Sequence, residues 1–228
     1  MSIRCSVCGG EEFGVTPVLW PKLIGEWQLS PSEADYIDRQ QGECCTNCGA
    51  NLRSIALSDA LLSCYQEHGT LIQAVQSGSL ASKKVLEINE AGTLHKVLED
   101  LPNLTFGQYP DVDMHALPYP DESFDLVMHS DTLEHVENPI HALRECARVL
   151  KEDGFLCFTV PIIVERLSRS RAGLPKSYHG NPAQSGDDYL VHTEFGADAW
   201  VLPLRAGFRK VALNAIDFPA ALALVAAK

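Results

Sequence analysis

The sequence predicts an α/β fold: a mostly parallel sheet with a C-terminal antiparallel hairpin, preceded by a small cysteine-rich module and a helix. Three observations carry this reading. Two CxxC turns stand near the N-terminus, short apolar runs alternate with amphipathic stretches from Lys83 onward, and the tail holds two closely spaced strand-like runs. At 228 residues, 46% of them hydrophobic, the chain is long enough for one sizeable core and a small appendage. The organisation expected is a cysteine module at 1–52, a helical linker at 53–82 and an α/β domain at 83–228.

The first turn, "CSVCGG", holds Cys5 and Cys8; the second, "CTNCGA", holds Cys45 and Cys48, and each is followed at once by a glycine, Gly9 or Gly49. A CxxC bend brings two thiolates to one side, and a glycine at positive φ turns backbone N–H groups back toward the sulfurs. Two such knuckles supply four soft ligands in a tetrahedron, the set that structural Zn2+ prefers over redox or merely buried thiols. The pattern resembles a zinc ribbon. The 36 residues from Gly9 to Cys44 do not prevent a shared ion, because loop-closure cost rises slowly with length. Cys45 is favoured over Cys44, which would abandon the CxxC spacing. Cys64, Cys146 and Cys157 stand in apolar periodic segments and read as core.

Between the knuckles, "PSEADYIDRQQGE" has a helix start with Ser32 or Ser30 as cap. After Cys48, "LRSIALSDALLSCYQEHG" spaces Ile55, Leu57, Leu61, Leu62 and Tyr65 as a helix that stops at Gly69, and "SGSLASKK" reads as a connector. Further on, "KVLEI", "LTFGQY", "SFDLVMHS" and the wholly apolar "FLCFTVPI" are strands. "TLHKVLEDL" is a helix, and "PIHALRECARVLKEDG" a second, turned off at Asp153-Gly154. "FRKVALNAI" and "AALALVAAK" form the terminal pair.

The net charge of −12 disfavours nucleic acid as a partner, since phosphate binding rests on displaced counterions. Residues 1–78 alone carry 4 basic and 9 acidic side chains. Met1 to Gly10 has no signal-peptide core, and the longest apolar run, near the C-terminus, is too short to cross a bilayer, so a cytoplasmic protein without a membrane partner is expected. One basic stretch, Arg166, Arg169, Arg171 and Lys176, lies in a Gly-, Pro- and Ser-rich segment from Val164 to Asp188 that reads as a lid or acceptor loop.

"VLEINEAGT", "LPYPDESFDLVMHSDTLEHVENPIHALRECARVLKEDGFLCFTVP" and "LRAGF" together resemble the class I S-adenosylmethionine-dependent methyltransferases, densely from Lys83 to Pro161. The resemblance implies a Rossmann-like sheet and S-adenosylmethionine as cofactor. It aligns Glu87, Asn89, Glu90, Ala91, Gly92 and Thr93 with the family's E-I-G-C-G-T-G loop, so two of three glycines are gone and Gly92 is shifted by one. Asparagine tolerates positive φ next best after glycine, so Asn89 can keep the turn. Glu87 is expected to accept from the cofactor's ammonium. The resemblance places Asp113 and Met114 at the adenine edge, and Ser130 and Leu133 at the methionine end. Asp111 is the ribose candidate, with Gln108 or Tyr109 as alternatives.

Methyl transfer needs alignment above all, and a base only where the acceptor must lose a proton. His135, His192 and His179 are the candidates, His135 with base and supporting roles equally weighted; His129 reads as packing. The function expected is methylation of a small molecule, acidic or sugar-derived if the basic segment holds it. The alternatives are an RNA methyltransferase that uses the zinc module for recognition, and a non-catalytic scaffold that has lost its cofactor. The sequence specifies no oligomeric state.

Overall fold

The computed structural model describes residues 3–178 and 187–228. β1 (Phe13–Val15) leaves the first knuckle, α1 (Pro21–Glu26) and α2 (Pro31–Gly42) form an insert, and β2 (Glu43–Cys45) returns antiparallel to β1 into the second knuckle. Ser30 is the cap of α2: its hydroxyl accepts the Glu33 N–H, and the Glu33 carboxylate accepts the Ser30 N–H at 2.7 Å.

α3 (Leu52–Cys64) follows, with the Asn51 side chain accepting the Ser54 N–H at 2.8 Å. It ends at Cys64 rather than Gly69, because Gln66 turns to φ +53 and Thr70 caps a further helix, α4 (Leu71–Ser77), closed by Gly78 at φ +76. Residues 53–82 thus hold two helices. α3 is buried nearly all round, between the knuckles on one side and the sheet on the other, which its apolar circumference requires.

The α/β part runs β3 (Val85–Ile88), a 3-10 turn at Gly92–Leu94, the one-turn α5 (His95–Leu98), β4 (Leu104–Gly107), β5 (Phe124–Ser130), α6 (Pro139–Val149) and β6 (Leu150–Thr159). Then come β7 (Ile162–Ile163), β8 (Arg169–Ser170), β9 (Thr193–Gly196), α7 (Val201–Ala206), β10 (Lys210–Ile216) and β11 (Ala221–Ala227). Six strands form one sheet in the order β10-β11-β6-β5-β3-β4. β4, β3, β5 and β6 are parallel; β11 and β10 close the edge as the expected antiparallel pair. Alternation along the strands feeds two cores. Val85, Met128, Cys157 and Ala223 face α3, and Leu86, Val127, Phe158 and Leu224 face α6. Cys157 and Cys64 meet there with sulfurs 3.5 Å apart.

One expectation fails locally. α6 stops at Val149, and Leu150 already pairs with Phe124; the ladder then shifts register, resuming at Leu126 opposite Phe155. The extra residues around Asp153-Gly154 are absorbed by this strand irregularity instead of a turn.

β7, β9 and β8 form a small second sheet beside the main one. The insert packs on it: Leu23, Trp27, Tyr36 and Ile37 share a cluster with Ile163 and Val191. Arg166 staples the two, donating to Glu33 at 2.6 and 2.7 Å and to the carbonyls of Trp27 and Gln28. The guanidinium holds the Glu33 carboxyl down at about 2. Among the described residues, no helix is long and apolar enough to cross a membrane.

Candidate functional site

The sulfurs of Cys5, Cys8, Cys45 and Cys48 lie within 4.8 Å of one another, with Cys5 to Cys48 at 3.6 Å and Cys8 to Cys45 at 3.7 Å. An ion holding four thiolates at the usual zinc–sulfur distance places them about 3.8 Å apart, so the cluster fits a tetrahedral soft ion. Gly9 and Gly49 take φ +86 and +77. The Gly10 N–H and the Asn47 amide both point at the Cys8 sulfur, at 3.4 and 3.2 Å. Cys44 lies outside the cluster, its thiol directed at the Gln41 carbonyl.

The main sheet has a switch point between β3 and β5, since β4 lies on one side of β3 and β5 on the other. Ligands of such sheets bind in the crevice at the carboxyl ends of the strands there. The loop after β3 forms one lip of it and Ser130 to Leu133 the other. Asn89 takes φ +54, as a glycine would. Its side chain then ties the neighbouring strand ends together: Oδ1 accepts the Tyr109 N–H at 3.0 Å and Nδ2 donates to Thr132 at 3.3 Å.

Gly92 sits at φ +59, where a Cβ would come within 2.7 Å of the Ser54 hydroxyl. That hydroxyl also accepts the Thr93 N–H at 3.2 Å. The preceding residue of α3, Arg53, is buried and pairs with Asp131 on the opposite lip. Ser54 and Arg53 were invisible to sequence reasoning because they lie over 35 positions from the loop. Their one signal was polarity, which they share with Ser58, Asp59 and Ser63 of the same helix.

Glu87 does not face the crevice. It is fully buried: Oε1 accepts the Ala91 N–H at 2.8 Å and Oε2 meets the His95 imidazole at 2.8 Å. Burial pushes its carboxyl up, and the carboxylate partner pushes His95 up. The expected ammonium acceptor is therefore a brace under the loop, with Ala91 packed beside it.

The crevice encloses about 370 Å³ and is lined by Glu90, Gly92, Thr93, His95, Lys96, Ser130 and Asp131. Of the residues expected to meet a cofactor, Glu90, Gly92 and Ser130 line it. Ser130 is anchored to the Thr159 hydroxyl at 2.7 Å. Leu133 is buried core. Asp111 is exposed, Met114 is buried, and Asp113 accepts from the His115 N–H at 2.8 Å; all three lie beyond β4, outside that lining.

His135 donates from Nδ1 to the Leu190 carbonyl at 3.1 Å, since only a protonated nitrogen satisfies a carbonyl there. Burial lowers its pKa, leaving Nε2 an unprotonated acceptor near neutrality. The His192 backbone N–H donates to the Glu134 carbonyl, bringing the two histidines into one cluster with the buried Glu134, whose carboxyl burial and Asp131 push well up. His179 lies outside the described residues. His129 is buried against Phe158 as core and is held neutral, its pKa lowered to about 3 by burial. Three residues of the basic segment are paired: Arg166 with Glu33, and Arg169 and Arg171 with Glu194.

Residues 74–158 match the methyltransferase domain family. The chain is similar to an uncharacterized methyltransferase of Schizosaccharomyces pombe, 32% identical over 93 residues, which cover 41% of this chain and 32% of that protein. It is also similar to the ubiquinone biosynthesis O-methyltransferase of Albidiferax ferrireducens, 28% identical over 164 residues, 70% of this chain and 56% of that protein. The chain thus spans between a third and somewhat over half of the length of these curated relatives. A solved S-adenosylmethionine-dependent methyltransferase of Mesorhizobium loti overlays 69% of this chain and 98% of its own at 14% identity, with a TM-score of 0.41.

Proposed function

We propose that this protein is a small-molecule methyltransferase that uses S-adenosylmethionine and carries a structural zinc ion on Cys5, Cys8, Cys45 and Cys48. The observation that carries the reading is the open crevice at the switch point of the sheet, kept open on one lip by positive φ at Asn89 and Gly92. Glu90 and Lys96 present opposite charges to it, as a zwitterionic amino-acid group needs. Asp113 and Met114 are assigned to the adenine edge and Asp111 to the ribose by the family resemblance alone. Relatives named for O-methylation in ubiquinone biosynthesis and for N-methylation of glycine, sarcosine and dimethylglycine point to small acceptors.

When bound, S-adenosylmethionine supplies a methyl carbon on a sulfonium: an acceptor oxygen or nitrogen forms the new bond to it while the carbon–sulfur electron pair stays with sulfur. His135 is assigned as the base, with Nδ1 held by the Leu190 carbonyl and Nε2 3.8 Å from the Glu134 carboxyl; His192, just before β9, supports it. An acidic chain that pairs Arg166, Arg169 and Arg171 internally disfavours RNA as the acceptor. A cytoplasmic location suits eight reduced cysteines.

Calorimetric titration with S-adenosylmethionine tests the reading. Saturable one-to-one binding, abolished by Gly92→Val, is expected; absence of binding by the zinc-loaded wild type leaves only a scaffold.

A further inference from the structure

A second hollow, of about 330 Å³, lies between the knuckle insert and β7. Its walls are Leu23, Trp27 and Ile37, Trp20 is half-buried at the side, and Ile163 forms the floor; Gln41 brings the one side-chain amide. No charged residue lines it. The volume is within the range of small-molecule sites, which begin at about 300 Å³ and are mostly apolar with a few placed polar groups.

Several bonds build these walls in place. The Asp38 carboxylate accepts the Val18 and Leu19 N–H groups at 2.5 and 2.8 Å, fixing the approach to Trp20. The Tyr36 hydroxyl accepts the Val164 N–H at 3.0 Å. Trp27 donates its indole N–H to Ser177 at 2.9 Å, and the Arg171 guanidinium stacks on it 5.5 Å from the ring centre. The charges that approach the hollow are already neutralised, Arg166 by Glu33 and Arg171 by Glu194. The hollow and the crevice are linked along the chain and through the histidine cluster: Val191, in the apolar cluster that walls the hollow, follows Leu190, whose carbonyl holds His135. Pro161, on its rim, is two residues beyond Thr159, whose hydroxyl holds Ser130 in the crevice wall.

We propose that this hollow seats the methyl acceptor, and that the acceptor's body is neutral, planar and apolar, of the phenol class, with its hydroxyl turned toward the crevice. This rests on the methyltransferase reading. An indole-walled, uncharged slot favours an aromatic body over a sugar or carboxylate, which would give up its hydration without a partner. In the step it serves, the phenol oxygen gains the methyl group, the carbon–sulfur bond breaks with its pair on sulfur, and the phenolic proton passes to the histidine base.

The test uses the full zinc-loaded chain labelled with 5-fluorotryptophan and fluorine NMR, with 2-naphthol as probe. The three tryptophan signals are assigned by single Trp→Phe variants. Saturable shifts of Trp20 and Trp27 are expected with no shift of the exposed Trp200, and glucose 1-phosphate should move none of them. Ile163→Phe, or Leu23→Phe if the first misfolds, narrows the slot and should weaken naphthol binding about tenfold, with the Trp200 signal as the folding control. Radiolabelled S-adenosylmethionine should then yield 2-methoxynaphthalene.

No shift at Trp20 and Trp27, an equal shift at Trp200, or a stronger response to the sugar phosphate overturns the proposal. Calorimetry with S-adenosylmethionine on the same sample separates the two readings. Cofactor binding without naphthol binding sinks the acceptor slot alone, whereas naphthol binding without cofactor binding sinks the enzymatic role and leaves a binding slot.

Discussion

The two cysteine knuckles and the loop after β3 do the same geometric job by opposite means. Each knuckle is a tight turn with a glycine at positive φ that closes on its own backbone, the Gly9 N–H donating to the Cys5 carbonyl at 2.7 Å and the Gly49 N–H to the Cys45 carbonyl at 2.8 Å. The loop after β3 reaches a comparable bend with Asn89 and Gly92, but it is held from afar by Ser54, Thr132 and Tyr109. A turn stabilised by its own neighbours can be read from a string of letters. One stabilised by a helix 38 positions away, Gly92 against Ser54, cannot. The two regions are also joined, because Asn51 caps α3 three residues after Cys48 and α3 carries Ser54 and Arg53 to the crevice.

That junction is the first thing to break. Cys45→Ser removes a ligand from a site whose metal contributes roughly 10–16 kcal/mol in isolated zinc modules, comparable with the whole stability of a domain. Loss of one zinc per chain by elemental analysis, a large drop in thermal midpoint and loss of cofactor binding are expected; Cys44→Ser should change none of them. A Cys45→Ser protein that lost its metal yet bound cofactor like the wild type would show the two regions to be independent.

Arg53→Leu acts on the crevice side only. The arginine is buried and Asp131 about a third exposed, at 35%, so solvent discounts the cost of the orphaned carboxylate to roughly 2 kcal/mol. Cofactor affinity should fall by more than about tenfold with zinc content unchanged. Smaller still is Gly92→Ala, which puts a methyl against Ser54 at a strained φ and should cost about 1–2 kcal/mol in denaturant unfolding. Adding Ser54→Gly relieves the clash but not the φ, so partial recovery is expected; full recovery would mean that backbone strain contributes nothing.

The finest probe is the proton under the loop. Glu87 raises the pKa of His95, so the stabilisation from that contact is fully present below the unfolded value of 6.5 and is lost as pH rises through the higher folded one. An NMR titration of His95 should therefore give a value above 6.5 in the wild type and a lower one in Glu87→Gln.

Much of the fold was legible because its signals are periodic and local. The strands at 85–88 and 124–130, the capped helix from Pro31 and the terminal hairpin follow from alternation, capping residues and short spacing. α4 was missed: its Thr70 and Gln73 capping box is plain only once Gly78 is seen to close a helix. The end of α6 was misplaced because Asp-Gly signals a turn as readily as the irregular strand it joins. At the site, the cysteines and Asn89 were readable as residue types with strict geometric demands. Glu87 braces its own loop, and in a sequence a strand-end carboxylate looks the same whether it does that or faces a ligand. The arginines of 166–171 looked available because Glu33 and Glu194 are brought to them by tertiary folding.

The insert that walls the apolar slot enters and leaves through a β1–β2 ladder only three residues long on each strand, in which Cys45 of the cysteine cluster itself takes part. Its stem is therefore clamped independently of what it carries. An exchange of chain between those two strands leaves the sulfur cluster in place but has to rebuild the ties of Glu33 to Arg166, of Tyr36 to Val164 and of Arg39 to Asp217, so the insert can vary only together with the segment it leans on.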